Sequence, residues 1–136
     1  MKYLLDTCIC IYYINRKDQQ VVENLQKRDR TDIVVCSITK CELYAGSAAS
    51  QTPIISCAKQ DRFLNNFYSF SFDDAAAREY GKVQSDLRRR GMLINVPDMQ
   101  IAAIALANNL IVVTNDTNDF RRIPDLKVED WTQPQP

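Results

Sequence analysis

The sequence predicts an α/β fold, a three-layer sandwich in which helices flank a mainly parallel central sheet. Short β-branched runs alternate with helical patterns along the chain, and no linker or internal repeat divides it. The 136 residues include 46% hydrophobic residues, enough for a core without disulfides. We therefore expect one domain over residues 1–131 and a short Pro- and Gln-rich tail, 132–136, that frays.

The first half of the chain contains three short apolar or alternating runs that are typical of strands. Apolar residues between and after these runs recur at helical spacing, which predicts four helices. The predicted strands are Lys2–Leu5, Ile33–Cys36 and Phe67–Phe72. The predicted helices carry Ile9 with Tyr12 and Tyr13, then Val21 with Leu25, then Ser37 to Gly46, and then Pro53 to Phe63.

The second half begins with the clearest helix, which has acids in its first turn and arginines in its last turn, as the helix dipole favours. Asp73-Asp74 opens this helix and Gly91 ends it. An apolar helix, a buried strand, a polar turn and an edge strand follow. These are the helix from Pro97-Asp98 to Ala107, the strand Leu110–Thr114, the turn Asn115–Asp119 and the strand Leu126–Val128.

Acidic residues stand at the ends of the predicted strands and the starts of the predicted helices. In an α/β sandwich these positions gather at one edge of the sheet, where ligands bind. Carboxylates that lie close together raise one another's pKa unless a cation compensates them. Oxygen ligands without histidine favour Mg²⁺ or Mn²⁺. The candidate site residues are Asp6, Glu42, Asp98, Asp116 and Asp119, with Asp6, Asp98, Glu42 and Asp116 as metal ligands.

Each acid also has a purely structural interpretation. Asp6 and Asp98 stand where helix caps stand, and turns commonly contain Asp for backbone reasons. Glu42 would belong to a capping box if Thr39 began the helix, whereas Ser37 as the cap would leave Glu42 free to face the edge. The convergence of the acids, and no single one of them, indicates a metal site.

Composition restricts the chemistry and the compartment. The chain has 17 basic and 17 acidic residues and no histidine, which excludes histidine-dependent nucleophiles and leaves no overall basic field. The five cysteines lie in apolar segments without paired spacing, which predicts buried free thiols. The first apolar run is too short for a signal peptide and no stretch is long enough to span a membrane, so we expect a cytoplasmic protein.

Four stretches of this sequence together resemble the motifs of the PIN domain, in the same order and spacing, from Lys2 to Trp131. In this compact form the chain resembles a VapC-type toxin of a bacterial VapBC toxin–antitoxin pair. The four stretches are Tyr3 to Thr7, Ser37 to Leu43 with Gly46 downstream, Pro97 to Ala103, and Val113 to Asp116 continuing to Asp119-Phe120.

The resemblance implies a PIN-like sandwich and a Mg²⁺- or Mn²⁺-dependent endoribonuclease, with transfer RNA as one candidate substrate. Asp6 and Asp98 match the most direct metal ligands and Glu42 matches the second acid of the family, while the fourth acid falls on Asp116 or Asp119. Cys8 replaces a small polar residue of the family, which predicts the loss of a hydrogen bond near the metal. Hydrolysis by metal-activated water would leave 5′-phosphate and 3′-hydroxyl ends.

Partners follow from the same resemblance and from the distribution of charge. A VapB-type antitoxin, a homodimer and an RNA substrate are implied, with aromatic residues such as Tyr13 and Phe63 as a candidate apolar interface. Arg88, Arg89 and Arg90 form the densest basic cluster and are the candidate RNA contacts. Two other interpretations remain: a catalytically silent PIN-like module that binds RNA or protein, and a receiver-type phosphoacceptor, which is disfavoured because Asp6 has no paired acid.

Overall fold

The computed structural model describes residues 1–136 and contains five strands, seven α-helices and a 3-10 helix at Arg30–Asp32. The strands are β1 (Tyr3–Leu5), β2 (Ile33–Cys36), β3 (Tyr68–Phe70), β4 (Ile111–Val113) and β5 (Lys127–Glu129). The helices are α1 (Thr7–Ile14), α2 (Gln19–Gln26), α3 (Ser37–Ala48), α4 (Pro53–Leu64), α5 (Asp74–Arg89), α6 (Val96–Asn108) and α7 (Thr117–Phe120).

All five strands form one parallel sheet in the order β3-β2-β1-β4-β5. The central strand β1 pairs with β2 on one side and with β4 on the other, so that Tyr3 lies opposite both Ile33 and Ile111. Parallel strands need crossover connections, and helices supply most of them here. The carboxyl ends of all five strands therefore lie along one edge, called the carboxyl edge below, and their amino ends lie along the opposite edge, the amino edge.

The core lies on both faces of the sheet because successive strand residues point to opposite sides. Leu4 packs into a cluster that contains the buried residues of α5 and α6, whereas Leu5 packs into a cluster that contains those of α1 and α2. The same alternation separates Val112 from Val113 in β4. The predicted three-layer sandwich is confirmed, and the sheet is parallel throughout.

The structure differs from the sequence-based expectations at several places. The polar stretch 115–119, predicted as a turn, contains the start of α7, which the fully buried Phe120 anchors. The helix predicted to start at Pro97-Asp98 begins one residue earlier, at Val96. Residues 132–136, predicted to fray, lie against α2, where Asn24 donates to the carbonyl of Gln133 and Lys27 to that of Gln135.

The prediction of five buried thiols holds for Cys10 and Cys36 only, since Cys8 and Cys57 are half-buried and Cys41 is exposed. Helix α3 buries Thr39, Leu43 and Ser47, which recur every four residues along one face. Cys41 lies between the first two and turns to the opposite face, because consecutive helical residues are about 100° apart. No helix of this fold is both long and apolar enough to cross a membrane.

Candidate active site

Asp6 occupies the centre of the carboxyl edge, between β1 and α1. Its backbone amide donates to the carbonyl of Val113 at 3.0 Å, which extends the pairing of the two central strands by one residue. Its carboxylate caps α1 by accepting from the Ile9 amide at 3.1 Å. The residue is only 4% exposed, so the fold holds a carboxylate almost out of water at the position where the two central strands end.

Two further side chains donate to the carboxylate of Asp6. The Thr114 hydroxyl donates to Oδ2, and the Cys8 thiol donates to Oδ1 at 3.0 Å. The same Thr114 oxygen accepts from the backbone amide of Asp116 at 2.9 Å, which ties the start of the next acidic segment to Asp6. The prediction that Cys8 removes a hydrogen bond was therefore wrong, because a thiol on the first turn of α1 can donate as a hydroxyl does.

Asp98 stands in the first turn of α6 and is half-buried. Asn95, and not Asp98, is the cap: its side-chain oxygen accepts from the Asp98 amide at 2.9 Å, while its Nδ2 donates to Asp98 Oδ2 at 3.0 Å. This reciprocal pair differs from a capping box, because Asp98 accepts from the side chain of Asn95 and not from its backbone amide. One oxygen of Asp98 is thereby fixed, and its other oxygen has no hydrogen-bond partner within the chain.

Glu42 lies on the exposed side of α3, and neither Ser37 nor Thr39, the two capping residues that the sequence suggested, caps this helix. Cys36 is the N-cap residue of α3 and makes no side-chain capping hydrogen bond, so the N-cap position belongs to neither Ser37 nor Thr39. Instead, the Thr7 hydroxyl donates to Glu42 Oε1 at 2.6 Å. This contact connects the first turn of α1 to α3 and directs the Glu42 carboxylate towards the segment that contains Asp6.

Three carboxylates converge most closely. Asp98, Asp116 and Asp119 each offer an oxygen within 4.8 Å of the others. The sequence left open whether Asp116 or Asp119 is the fourth acid, and the structure brings both to Asp98 because α7 begins directly after β4 and turns back by one helical turn. Asp6 and Glu42 lie outside this closest group.

Three carboxylates of this site, those of Asp6, Asp98 and Asp116, retain protons more readily than ordinary acids. Burial raises the pKa of Asp6 to about 6, against an ordinary value of 3.8, even though its hydrogen-bond donors oppose the shift. Burial also raises the pKa of Asp98 to about 6, with further contributions from the carboxylates of Asp6, Asp116 and Glu42. Burial and the adjacent Asp119 raise the pKa of Asp116. The five acids are therefore linked electrostatically. Asp6, Asp116 and Glu42 all act on Asp98, and Asp119 acts on Asp116.

This arrangement fits a divalent cation of the hard class. Every candidate ligand is a carboxylate oxygen, and no histidine or other nitrogen ligand belongs to the group. Burial and the neighbouring carboxylates raise the pKa of Asp98, and a bound cation would offset both effects beyond what Arg122 supplies through its ion pair with Asp119. Asp98, Asp116 and Asp119 would hold the ion, with Asp6 next to them.

The predicted RNA-binding arginines lie at the C-terminal end of α5. Arg89 and Arg90 both pair with Asp86, at 3.7 and 2.6 Å, while Arg88 is exposed and without an ion pair. Arg90 also donates to the backbone carbonyl of Arg122.

Arg122 connects this end of α5 to the acidic site. Its guanidinium pairs with Asp119 at 3.5 Å and donates to the carbonyl of Met92 at 3.3 Å. The arginine cluster therefore reaches the rim of the site through Arg122, but its two best-placed members are already partnered by Asp86.

Sequence reasoning missed the side chains that hold the acids. Asn95 could have been found from its position, since Asn is a favoured N-cap residue and Pro97 marks the start of the helix just after it. Thr114 and Thr7 had a weaker signal in the sequence. Each carries a hydroxyl group and follows the end of a strand by one or two residues, at the edge where ligands are expected. No local pattern reveals that Thr7 contacts Glu42, because the two residues are 35 positions apart.

Known proteins resemble the chain over nearly its full length. The family model described as PIN domain matches residues 3–126. Ribonuclease VapC2 of Rickettsia felis is 34% identical over 132 residues, which are 96% of this chain and 98% of that protein. The tRNA(fMet)-specific endonuclease VapC of Shigella flexneri is also 34% identical over 132 residues, covering 97% and 99% of the two chains.

A solved structure gives the same result in three dimensions. The crystal structure of VapBC2 from Rickettsia felis bound to a DNA fragment from their promoter superposes with a TM-score of 0.89 and 34% identity. The match covers 96% of this chain and 99% of that chain.

Proposed function

The chain belongs to the PIN domain family, and we propose that it is a toxin endoribonuclease that hydrolyses RNA at the carboxyl edge with a bound divalent cation. Relatives with about one-third identity over almost the whole length are named ribonucleases or endonucleases, which supports hydrolysis of RNA. The approach of Asp98, Asp116 and Asp119 to within 4.8 Å is the single observation that carries the metal-dependent part of the proposal.

The residues of the chain divide the work at this site. Asp98, Asp116 and Asp119 hold the cation, and Asp6, kept in place by Thr114 and Cys8, adds negative charge beside them. When bound, a Mg²⁺ or Mn²⁺ ion supplies Lewis-acid chemistry, which lowers the pKa of a water molecule and offsets charge on the scissile phosphate.

Glu42 orients or deprotonates the attacking water, with Thr7 fixing one of its oxygens. External water as the nucleophile leaves 5′-phosphate and 3′-hydroxyl ends. Arg122, paired with Asp119 at the rim, is placed to contact a phosphate beside the site.

Substrate, partner and compartment follow the relatives. The Shigella flexneri relative is named as specific for tRNA(fMet), and we extend transfer RNA to this chain as the expected substrate class. The solved VapBC2 assembly of Rickettsia felis supports a VapB-type antitoxin as partner and a dimeric assembly. A toxin that acts on transfer RNA would work in the cytoplasm.

The test is cleavage of end-labelled bacterial transfer RNA by the purified chain with Mg²⁺, with Mn²⁺ or with EDTA. We expect cleavage only with metal and 5′-phosphate products. Asp98→Asn should remove cleavage without unfolding the protein. Glu23→Gln, which neutralises an exposed acid of α2, is the matched control and should cleave like the parent.

Three outcomes would contradict parts of this proposal. Equal cleavage by Asp98→Asn and the parent would show that the reaction does not take place at the acidic site. A complete lack of cleavage with either metal, combined with tight RNA binding, would instead favour the catalytically silent module. A 2′,3′-cyclic phosphate product would exclude external water as the nucleophile.

A further inference from the structure

Two adjoining cavities lie at the amino edge of the sheet, at the opposite end of α1 from Asp6. Their volumes are about 290 and 230 Å³, and they share Tyr13, Phe63 and Asn66 in their walls. Tyr13 lies near the end of α1, Phe63 near the end of α4, and Asn66 just before β3. Strand starts and helix ends therefore surround both cavities.

Five basic side chains line these two cavities, and no carboxylate does. They are Arg28 and Arg30 in the larger cavity and Arg16, Lys59 and Arg62 in the smaller one. Asp29 and Asp32 flank Arg30 in the chain but line neither cavity. None of the five cations takes part in an ion pair, since the four ion pairs of the protein involve Lys82, Arg89, Arg90 and Arg122. We call these five residues and the shared rings the amino-edge surface.

The fold tolerates this concentration of positive charge because of where it lies. Arg16 and Arg28 follow the ends of α1 and α2, and Arg62 stands in the last turn of α4, where cations are favourable towards the helix dipole. The protein has no net charge, so the field of these five groups is local. Such an uncompensated patch attracts polyanions and gains free energy when their counterions are released.

Aromatic rings lie among the cations. Tyr13 and Phe63 have ring centroids 5.0 Å apart, and Phe67 packs edge-on against Phe63 at 5.2 Å. The guanidinium of Arg16 stands over the ring of Tyr13, 4.7 Å from its centroid. Phe63 is buried, whereas Tyr13 and Phe67 are partly exposed. Guanidinium groups and partly exposed rings together suit nucleotides, because the cations contact phosphates while rings and guanidinium planes stack on bases.

The acidic site itself creates a need for such a surface. Five carboxylates at the carboxyl edge repel an RNA backbone, and the arginines nearest to them are paired with Asp86 or Asp119. We propose that the amino-edge surface binds phosphates of the RNA substrate at a distance from the cleavage site and supplies most of the electrostatic affinity. This proposal rests on the proposed function, because the RNA that binds is the RNA that is cut.

The distance between the two regions suits one folded RNA. Helix α1 has eight residues and begins directly after Asp6, so its far end lies about 12 Å from the acids. A few nucleotides of a folded RNA bridge such a separation. An RNA that contacts both regions would be oriented as well as held.

The experiment compares two sets of three substitutions, both in the Asp98→Asn background so that the RNA is not consumed. The test set is Arg30→Gln, Lys59→Gln and Arg62→Gln, which are exposed residues of the amino-edge surface. The control set is Arg78→Gln, Lys82→Gln and Arg88→Gln, exposed cations of α5 that line neither cavity. Each set removes three charges, so the change in net charge is the same.

Binding of fluorescein-labelled bulk bacterial transfer RNA is measured across a salt series. We expect the test set to weaken binding by about 10-fold or more at low salt and to reduce the slope of log affinity against log salt by about 3. The control set should leave the slope within about 1 of the parent. If the triple variant unfolds, Lys59→Gln with Arg62→Gln alone should reduce the slope by about 2.

Several results would overturn the proposal. Equal losses of affinity in the test and control sets would mean that only the net charge of the protein matters. If the parent did not bind transfer RNA, transfer RNA would be excluded as the ligand of this surface. If the test set abolished binding of poly-glutamate but left binding of transfer RNA unchanged, the surface would be assigned to an acidic polypeptide. Cleavage by the protein with native Asp98 is measured in parallel, so that failure of the proposed function is seen separately from failure of this surface.

Discussion

At the carboxyl edge of the sheet, oxygens of Asp98, Asp116 and Asp119 lie within 4.8 Å of one another, and burial raises the pKa of Asp98 and of Asp6 to about 6. At the amino edge, by contrast, five cations line two adjoining cavities without an acid among them. The acids are held by short-range donors such as Thr7, Thr114 and Asn95. The cations are mostly exposed and make no ion pair, and their contacts are with aromatic rings, as for Arg16 and Arg28, or with neutral oxygens, as for Lys59. A site for chemistry needs fixed groups, while a site for long-range attraction needs charge alone.

The largest effect should come from removing a charge at the carboxyl edge. Asp6→Asn preserves size and one acceptor but removes the negative charge, and we expect kcat for transfer RNA cleavage to fall by about 1,000-fold with KM changed by less than about 3-fold. The test set at the amino edge, with Asp98 intact, should do the reverse and raise KM. Steady-state kinetics of both proteins checks this, and a large KM effect of Asp6→Asn would erase the distinction between the two edges.

A smaller effect is expected from the contact that positions Glu42. Thr7→Val removes the hydroxyl that donates to Glu42 at 2.6 Å, and we expect kcat to fall by about 10-fold because a hydrogen bond to a charged group contributes about 1.5 kcal/mol. Thr7→Ser should recover most of the rate. A variant that loses rate equally with Val and with Ser would show that the methyl group, and not the hydrogen bond, matters.

Stability should depend on pH at the carboxyl edge. The pKa of Asp6 is about 6 in the fold and 3.8 in its ordinary state, so the folded protein binds this proton more tightly. The stabilisation is complete below pH 3.8 and is lost as the pH rises through about 6.

For metal-free protein, we therefore expect the free energy of unfolding of the parent, measured relative to Asp6→Asn, to fall by about 1 kcal/mol between pH 5 and pH 7.5. Urea denaturation at the two pH values measures this, and addition of Mg²⁺ should restore the parent at pH 7.5. The variant that carries the amino-edge test set keeps Asp6, so its free energy of unfolding should fall with pH by as much as that of the parent. A difference that rises with pH would contradict the assignment to Asp6.

The smallest effect concerns Cys8. Its thiol is a weak donor to Asp6, at 3.0 Å, so Cys8→Ala should raise the Mg²⁺ concentration needed for half-maximal cleavage by about 3-fold. Cys8→Ser, which keeps a donor at this position, should match or improve on the parent. If alanine had no effect, Thr114 and the Ile9 amide would suffice to hold the Asp6 carboxylate.

The elements that position the site could be predicted from the sequence because their signals are local. The runs at β1, β2 and β4 are strongly apolar, and strand ends followed by Asp or Ser mark the carboxyl edge. The short helix α7 was predicted as a turn, since four residues give too little periodicity to show a helix and the buried Phe120 decides the conformation. The start of α6 was one residue off because Asn95 caps it from outside the apolar pattern.

The basic cluster shows where contiguity in sequence misleads. Arg88, Arg89 and Arg90 are adjacent in the chain and predict a nucleic-acid contact, yet Asp86 neutralises two of them because residues three and four apart on a helix are neighbours. The five cations of the amino-edge surface come from four segments and are nowhere contiguous. Only packing of α1, α2 and α4 brings them together.

The sequence by itself determined the α/β class, the edge at which the acids gather and the absence of histidine from the candidate ligands, because strand patterns, helix starts and residue types are properties of short segments. The tertiary structure alone decided that Asp116 and Asp119 both reach Asp98, that Cys8 donates to Asp6, and that unpaired cations gather at the opposite edge. These features depend on distances between segments far apart in the chain, which no local pattern encodes.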